Sequence, residues 1–160
     1  MLKNKYILLA AFCLLFGGLG FFREFFFLEY NNVMYTLYNG ESTMPVNKNF
    51  EFFMSLSYKT VYYLKYIFTI LFVVAFYLIS FWCIKLFTRN SVLLKWFTYS
   101  YLLLFGISML LMLWSYFVRV KLDSDEYSVS RWLMGIAQSP IPALFFLATH
   151  KLITPKNQSA

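Results

Sequence analysis

"RWLMGIAQSPIPALFFLATHKL", Arg131 to Leu152, decides the fold. Between Arg131 and His150 it has no charged residue, and at about 1.5 Å per helical residue that run is long enough to cross roughly 30 Å of hydrocarbon. Yet Gln138-Ser139 sits in its middle and two prolines follow, Pro140 and Pro142. In a continuous helix the prolines leave the carbonyls of Ile136 and Gln138 without intrahelical donors. In lipid those groups need partners from protein or trapped water. The span is therefore expected to be kinked or broken at Pro140/Pro142. Ser139-Pro140 also has the pattern of a helix start, with serine as cap and proline in the first turn.

Three further uncharged runs have a similar length: Tyr6–Phe22, Tyr66–Ile84 and Trp96–Val118. The chain of 160 residues is 61% hydrophobic and 23% aromatic, more apolar surface than a soluble domain of this size can hide. The runs are continuous and do not alternate, which favours helices over barrel strands. The expectation is an all-α membrane protein, a single integral membrane domain over residues 1–160. Four transmembrane helices form its bundle, the last being 132–149, with an outer loop over about 23–60. That loop has a turn signal at Asn39-Gly40, a proline at Pro45 and many tyrosines. It is expected to lie along the membrane face. The glycines before Phe21 resemble a signal-peptidase site. The apolar character resumes directly as "FFREFFFLEY", so the first span is expected to stay uncleaved.

Lysine and arginine give a net charge of +7, but they sit at the ends of the apolar runs, as snorkelling anchors do. No basic stripe or groove-reading motif points to nucleic acid. Cys13 lies mid-span and Cys83 near a span end, at depths that do not match for a disulfide. No cluster suggests a metal or another cofactor. With the N-terminus inside, the short inner segments carry Lys3, Lys5, Lys85, Arg89, Lys95, Lys151 and Lys156, and all seven acids fall outside. This favours both termini in the cytoplasm of a bacterial inner membrane. His150 reads as an interfacial residue beside Lys151.

Charge inside a span is costly enough to mark function. In the first span Ala10, Cys13, Gly17 and Gly20 recur at helical spacing, a strip that lets another helix approach closely. Glu24 extends the strip, with Arg23 further round. In the last span Arg131, Gly135, Gln138, Pro142 and Thr149 fall on one face of a continuous helix. Both charged ends are expected at the outer boundary, so Glu24 is expected to pair with Arg131, with Asp123, Asp125 or Glu126 as other partners.

"GFFREFFF", "YYLKY", "LKWFTYSYLLLFG" and "RWLMGIAQSP" together resemble a family of small four-span membrane proteins of Bacteroidetes, itself without a known activity. More distantly the layout is similar to exosortase F-associated membrane proteins. Arg23, Arg131-Trp132 and Pro140 or Pro142 match their pattern, while "FLEYNN" departs from the turn expected after helix one. The resemblance implies an accessory role beside a membrane protease-transpeptidase that processes exported proteins. Cys83, Arg131 and His150 fall at different depths and do not make that enzyme's active site. The expected function is thus a non-enzymatic accessory or assembly subunit of a membrane complex, with membrane lipids and other membrane proteins as partners. The alternative is a small transporter or channel component with its site at the broken fourth helix, around Gln138, Ser139 and Pro140.

Overall fold

The computed structural model describes residues 2–40, 46–118 and 128–153. Six α-helices follow one another: α1 (Leu2–Asn39), α2 (Glu51–Met54), α3 (Tyr58–Thr88), α4 (Ser91–Val118), α5 (Ser128–Ala137) and α6 (Ile141–Ile153). A 3-10 turn, Lys48–Phe50, leads into α2, and no strand occurs among the described residues. Three helices are long and apolar enough to cross a membrane. The pair α5 and α6, bent by 61° at its break, makes a fourth span. The protein is an all-α membrane bundle of about four spans.

The helices outrun the apolar segments that mark them. α1 has 38 residues and α3 has 31, about 57 and 46 Å at 1.5 Å per residue. Residues 23–39, expected as the start of a loop, continue α1. Arg23-Glu24 marks a change in polarity and carries no helix-breaking residue, so the backbone has no reason to stop there. It stops at the Asn39-Gly40 turn signal. Gly40 takes φ 74° and donates its amide to the Thr36 carbonyl at 2.9 Å, a left-handed cap that side chains disfavour. α3 likewise starts eight residues before Tyr66, at Tyr58. There the Ser57 hydroxyl accepts the Thr60 amide at 3.3 Å.

The chain divides into two compact units, Met1–Phe16 with Ala75–Ala160, and Gly17–Val74. The second is a helical hairpin with its own aromatic core. Tyr30, Val33, Phe50 and Val61 are buried, with Phe26, Phe53 and Phe68 packed against them. Phe26 and Phe68 lie 4.8 Å apart between centroids, and Tyr30 and Phe53 5.1 Å. Edge and tilted contacts of this kind add to the area the rings bury. Phe50 and Phe53 thus pin the 3-10 turn and α2 onto α1 and α3. Tyr30 also donates to the Val61 carbonyl across the hairpin at 2.7 Å, with both residues buried. Lys65 Nζ meets Asn31 Oδ1 at 2.8 Å.

In the other unit the first turns of α1 lie on the end of α3 through Phe12–Phe87 and Phe16–Phe76 ring contacts. Phe12 follows ten residues of α1, whereas Phe87 is one residue from the end of α3, so α1 overhangs. The Cys13 thiol is exposed and the Cys83 thiol buried. Both are free. α4 joins α3 through Tyr77, which stacks on Phe97 at 5.8 Å and shares a hydrogen bond with Thr98.

The buried tyrosine makes a separable contribution to the hairpin. Tyr30→Phe keeps the ring packing and loses one buried hydrogen bond, so it should cost about 1 kcal/mol. Tyr30→Ala also opens a cavity and should cost about 3–5 kcal/mol. Unfolding of the purified protein in detergent micelles measures both; no loss in Tyr30→Phe would show that the hydroxyl contributes nothing, and equal losses in the two would show the same of the ring.

Candidate functional site

α5 ends at Ala137, and Gln138, Ser139 and Pro140 form the break. The Gln138 amide still donates to Met134 at 3.0 Å, so the helical path holds to that point. Pro140 then has no amide to offer Ile136. The Ser139 hydroxyl takes its place, donating to the Ile136 carbonyl at 2.7 Å. The same oxygen accepts the Ile141 amide at 3.3 Å. With Ile141 turned to Ser139, the Ala137 carbonyl loses its own helical donor, and the Tyr101 hydroxyl of α4 supplies one. The next helix starts cleanly, Leu144 donating to the Pro140 carbonyl at 3.0 Å. Ser139 therefore acts as the expected cap, and the span is broken in two.

Tyr101 is half of a pair. Seven residues along α4, the Ser108 hydroxyl donates to the Ser130 carbonyl of α5 at 3.0 Å, also buried. Ala137 and Ser130 are seven residues apart as well, so two side chains on one face of α4 meet two carbonyls on one face of α5. Both contacts need small residues on α5, and Ala137 is wholly buried. Tyr101 and Ser108 were not singled out in the sequence. Their spacing of two helical turns within an apolar span is the signal that finds them.

This changes the face assigned to the last span. Arg131 is exposed, whereas Ser130, Ala137 and Gln138 are buried. A step of one residue turns a helix by about 100°, so Arg131 lies off the line through Ser130 and Ala137, whereas Gln138, seven residues on, shares the bearing of Arg131 and is buried at the break. The 61° bend also removes Pro142 and Thr149 from any common face with α5. Gly135 has open space where a side chain would stand. Pro142 lies in the first turn of α6 and lines an apolar groove of about 270 Å³ between α4 and α6, with Phe97, Tyr101, Phe145 and Phe146. Asp123, Asp125 and Glu126, considered as partners of Arg131, lie outside the described residues.

Arg23 and Glu24 belong to the hairpin unit. Arg23 is on the packed side of α1, 24% exposed, and its Nη1 lies 3.1 Å from Glu24 Oε1. Its Nε is buried without a hydrogen-bond partner. Glu24, one residue further round the helix, is 74% exposed. The pair stands seven residues, about 10 Å, from Asn31, where α1 meets Lys65. Phe22 and Phe27, on either side of the pair in sequence, both contact Phe72 inside the uncharged run of α3. The strip Ala10, Cys13, Gly17 and Gly20 leads along α1 to Glu24. Nothing lies within 4 Å of a side chain built on Gly17, Gly18 or Gly20.

Among the described residues no three His, Cys, Asp or Glu side chains gather in a way that could hold a metal ion. No family model, curated protein or solved structure matches this chain.

Closure of the break has a measurable consequence. Tyr101→Phe strands the Ala137 carbonyl in a dry interface and should cost about 1–3 kcal/mol. Tyr77→Phe removes only a half-buried bond between side chains and should cost about 0.5–1 kcal/mol. Chemical unfolding in micelles compares the two, and an equal or smaller loss at Tyr101 would contradict the role given to its hydroxyl.

Proposed function

We propose that the protein is a non-enzymatic subunit of a bacterial inner-membrane complex, holding another membrane protein against the uncovered face of α1. The observation that carries this reading is the open strip from Ala10 to Gly20 ending on the exposed Glu24. Only 11% of the most apolar window of α1 is buried, against 33% for α3. In lipid there is no hydrophobic drive between helices, so close approach over small residues and polar contacts supplies association. A carboxylate about 10 Å inside the Asn31–Lys65 contact is expensive in hydrocarbon, and a neighbouring helix removes that cost. Arg23 already neutralises Glu24, so a neutral donor such as serine, threonine, asparagine or glutamine suits the partner better than a third charge.

A transporter site at the broken helix has less support. A substrate there would need free backbone groups, but Ile136, Ala137 and Ile141 are already bonded to Ser139 and Tyr101. Gln138 is buried and has interactions of its own. An exosortase-type processing system, suggested by the sequence resemblance, is the complex to test first, with both termini on the cytoplasmic side.

The full chain, tagged and extracted from its native membranes in mild detergent, should co-purify with one membrane protein in a fixed ratio. Gly17→Leu with Gly20→Leu should abolish that association and leave the folded yield unchanged, because both sites open on empty space. Recovery as a monomer alone would refute the subunit reading. Labelling of Gln138→Cys by a membrane-impermeant maleimide would favour the transporter.

A further inference from the structure

The turn between α3 and α4 concentrates cations without any acid to balance them. α3 carries Lys85, the turn carries Arg89, and α4 carries Lys95, while no Asp or Glu occurs between Phe52 and Leu122. α6 brings His150 and Lys151 to the same end of its unit, because Phe146 in α6 packs on Phe97 near the start of α4 at 5.5 Å. Two tryptophans mark the depth. Trp82 is half exposed with Lys85 Nζ 5.0 Å from its ring centroid, and Trp96 is exposed beside Lys95. Tryptophan and lysine together at a helix end are the signature of the headgroup layer.

A pocket of about 360 Å³ is built into this turn. Lys85, Arg89, Asn90 and Ser91 supply its polar wall, and Leu86 and Leu94 its apolar one. Arg89 is the one described non-glycine residue with positive φ, 50°. It closes α3 where glycine is the usual residue, with its amide on the Lys85 carbonyl at 3.2 Å. A cation therefore occupies a position that backbone preference assigns to glycine. Asn90 Oδ1 caps α4 itself, accepting the Val92 and Leu93 amides at 3.0 and 3.2 Å. The helix start is thus satisfied, and attraction for an anion rests on the two side-chain cations.

We infer that this pocket binds the phosphate of an anionic phospholipid between Lys85 and Arg89, with the first part of its acyl chains against Leu86 and Leu94. Free phosphate shares the headgroup chemistry, but it has no use for the leucine wall. Basic pockets between membrane helices take anionic headgroups for this combined reason. The inference is independent of the subunit reading, since it concerns other helix ends and needs no protein partner.

Native mass spectrometry of the full chain, released from nanodiscs that mix phosphatidylcholine and phosphatidylglycerol, reads the site directly. One phosphatidylglycerol should be retained per chain, and phosphatidylcholine should not. Arg89→Gly removes the cation and suits the backbone, so the fold should persist while lipid affinity falls about fivefold, the effect of one basic residue near a membrane surface. Adding Lys85→Gln should bring the loss to roughly thirtyfold. Lys95→Gln, outside the pocket, should change little. Equal retention of phosphatidylcholine, or a Lys95→Gln loss as large as that of Arg89→Gly, would overturn the site as diffuse surface charge. Displacement of the lipid by inorganic phosphate would reassign the pocket to the free anion.

Discussion

One missing amide organises the unit that holds α4, α5 and α6. Pro140 cannot donate to Ile136, and hydrocarbon has no water to donate in its place. The Ser139 hydroxyl answers that deficit and, by capturing the Ile141 amide, shifts the vacancy one residue to Ala137. Tyr101 fills the shifted vacancy from α4. Each partner follows from the one before it. The chain of substitutions ends on a second helix, so the break in the span is also the contact that fixes α5 to α4. Side chains at Ala137 and Ser130 stay small because a hydroxyl from α4 must reach the backbone behind them.

The fold was largely legible because its main signal is composition. Four uncharged runs in a chain this apolar have few destinations other than four spans, and the turn at Asn39-Gly40 was marked by residues with a conformational reason to be there. The errors have a common physical source. Charge reports where solvent changes and says nothing about where a helix stops, so Arg23-Glu24 looked like an end when α1 continued to Gly40.

The candidate site was legible in part. Ser139 and Pro140 declare their roles because a serine before proline has a local geometry of its own. Pro142 leaves the face expected to hold Arg131 and Gln138, because periodicity holds only along an unbroken axis and the bend of 61° falls before it. Tyr101 and Ser108 were hidden by a different cause. Their partners are backbone carbonyls, which every residue possesses, so no complementary side chain in the sequence points back to them. Glu24 meets Arg23 beside it at 3.1 Å, a contact between chain neighbours that helical periodicity does not announce.

The polar groups of this chain therefore divide according to what already satisfies them. Those at the helix break are spent on one another, Ile136 and Ile141 on Ser139, and Ala137 on Tyr101. Arg23 keeps a buried Nε without a partner, and Glu24 directs a carboxylate outward beside a strip of glycines. The Ile136 carbonyl that Pro140 frees is satisfied within the span by Ser139. Among the described residues two buried side-chain atoms lack a hydrogen-bond partner, Arg23 Nε on α1 and Ser80 Oγ on α3, and α1 is the long helix whose apolar window this chain covers least.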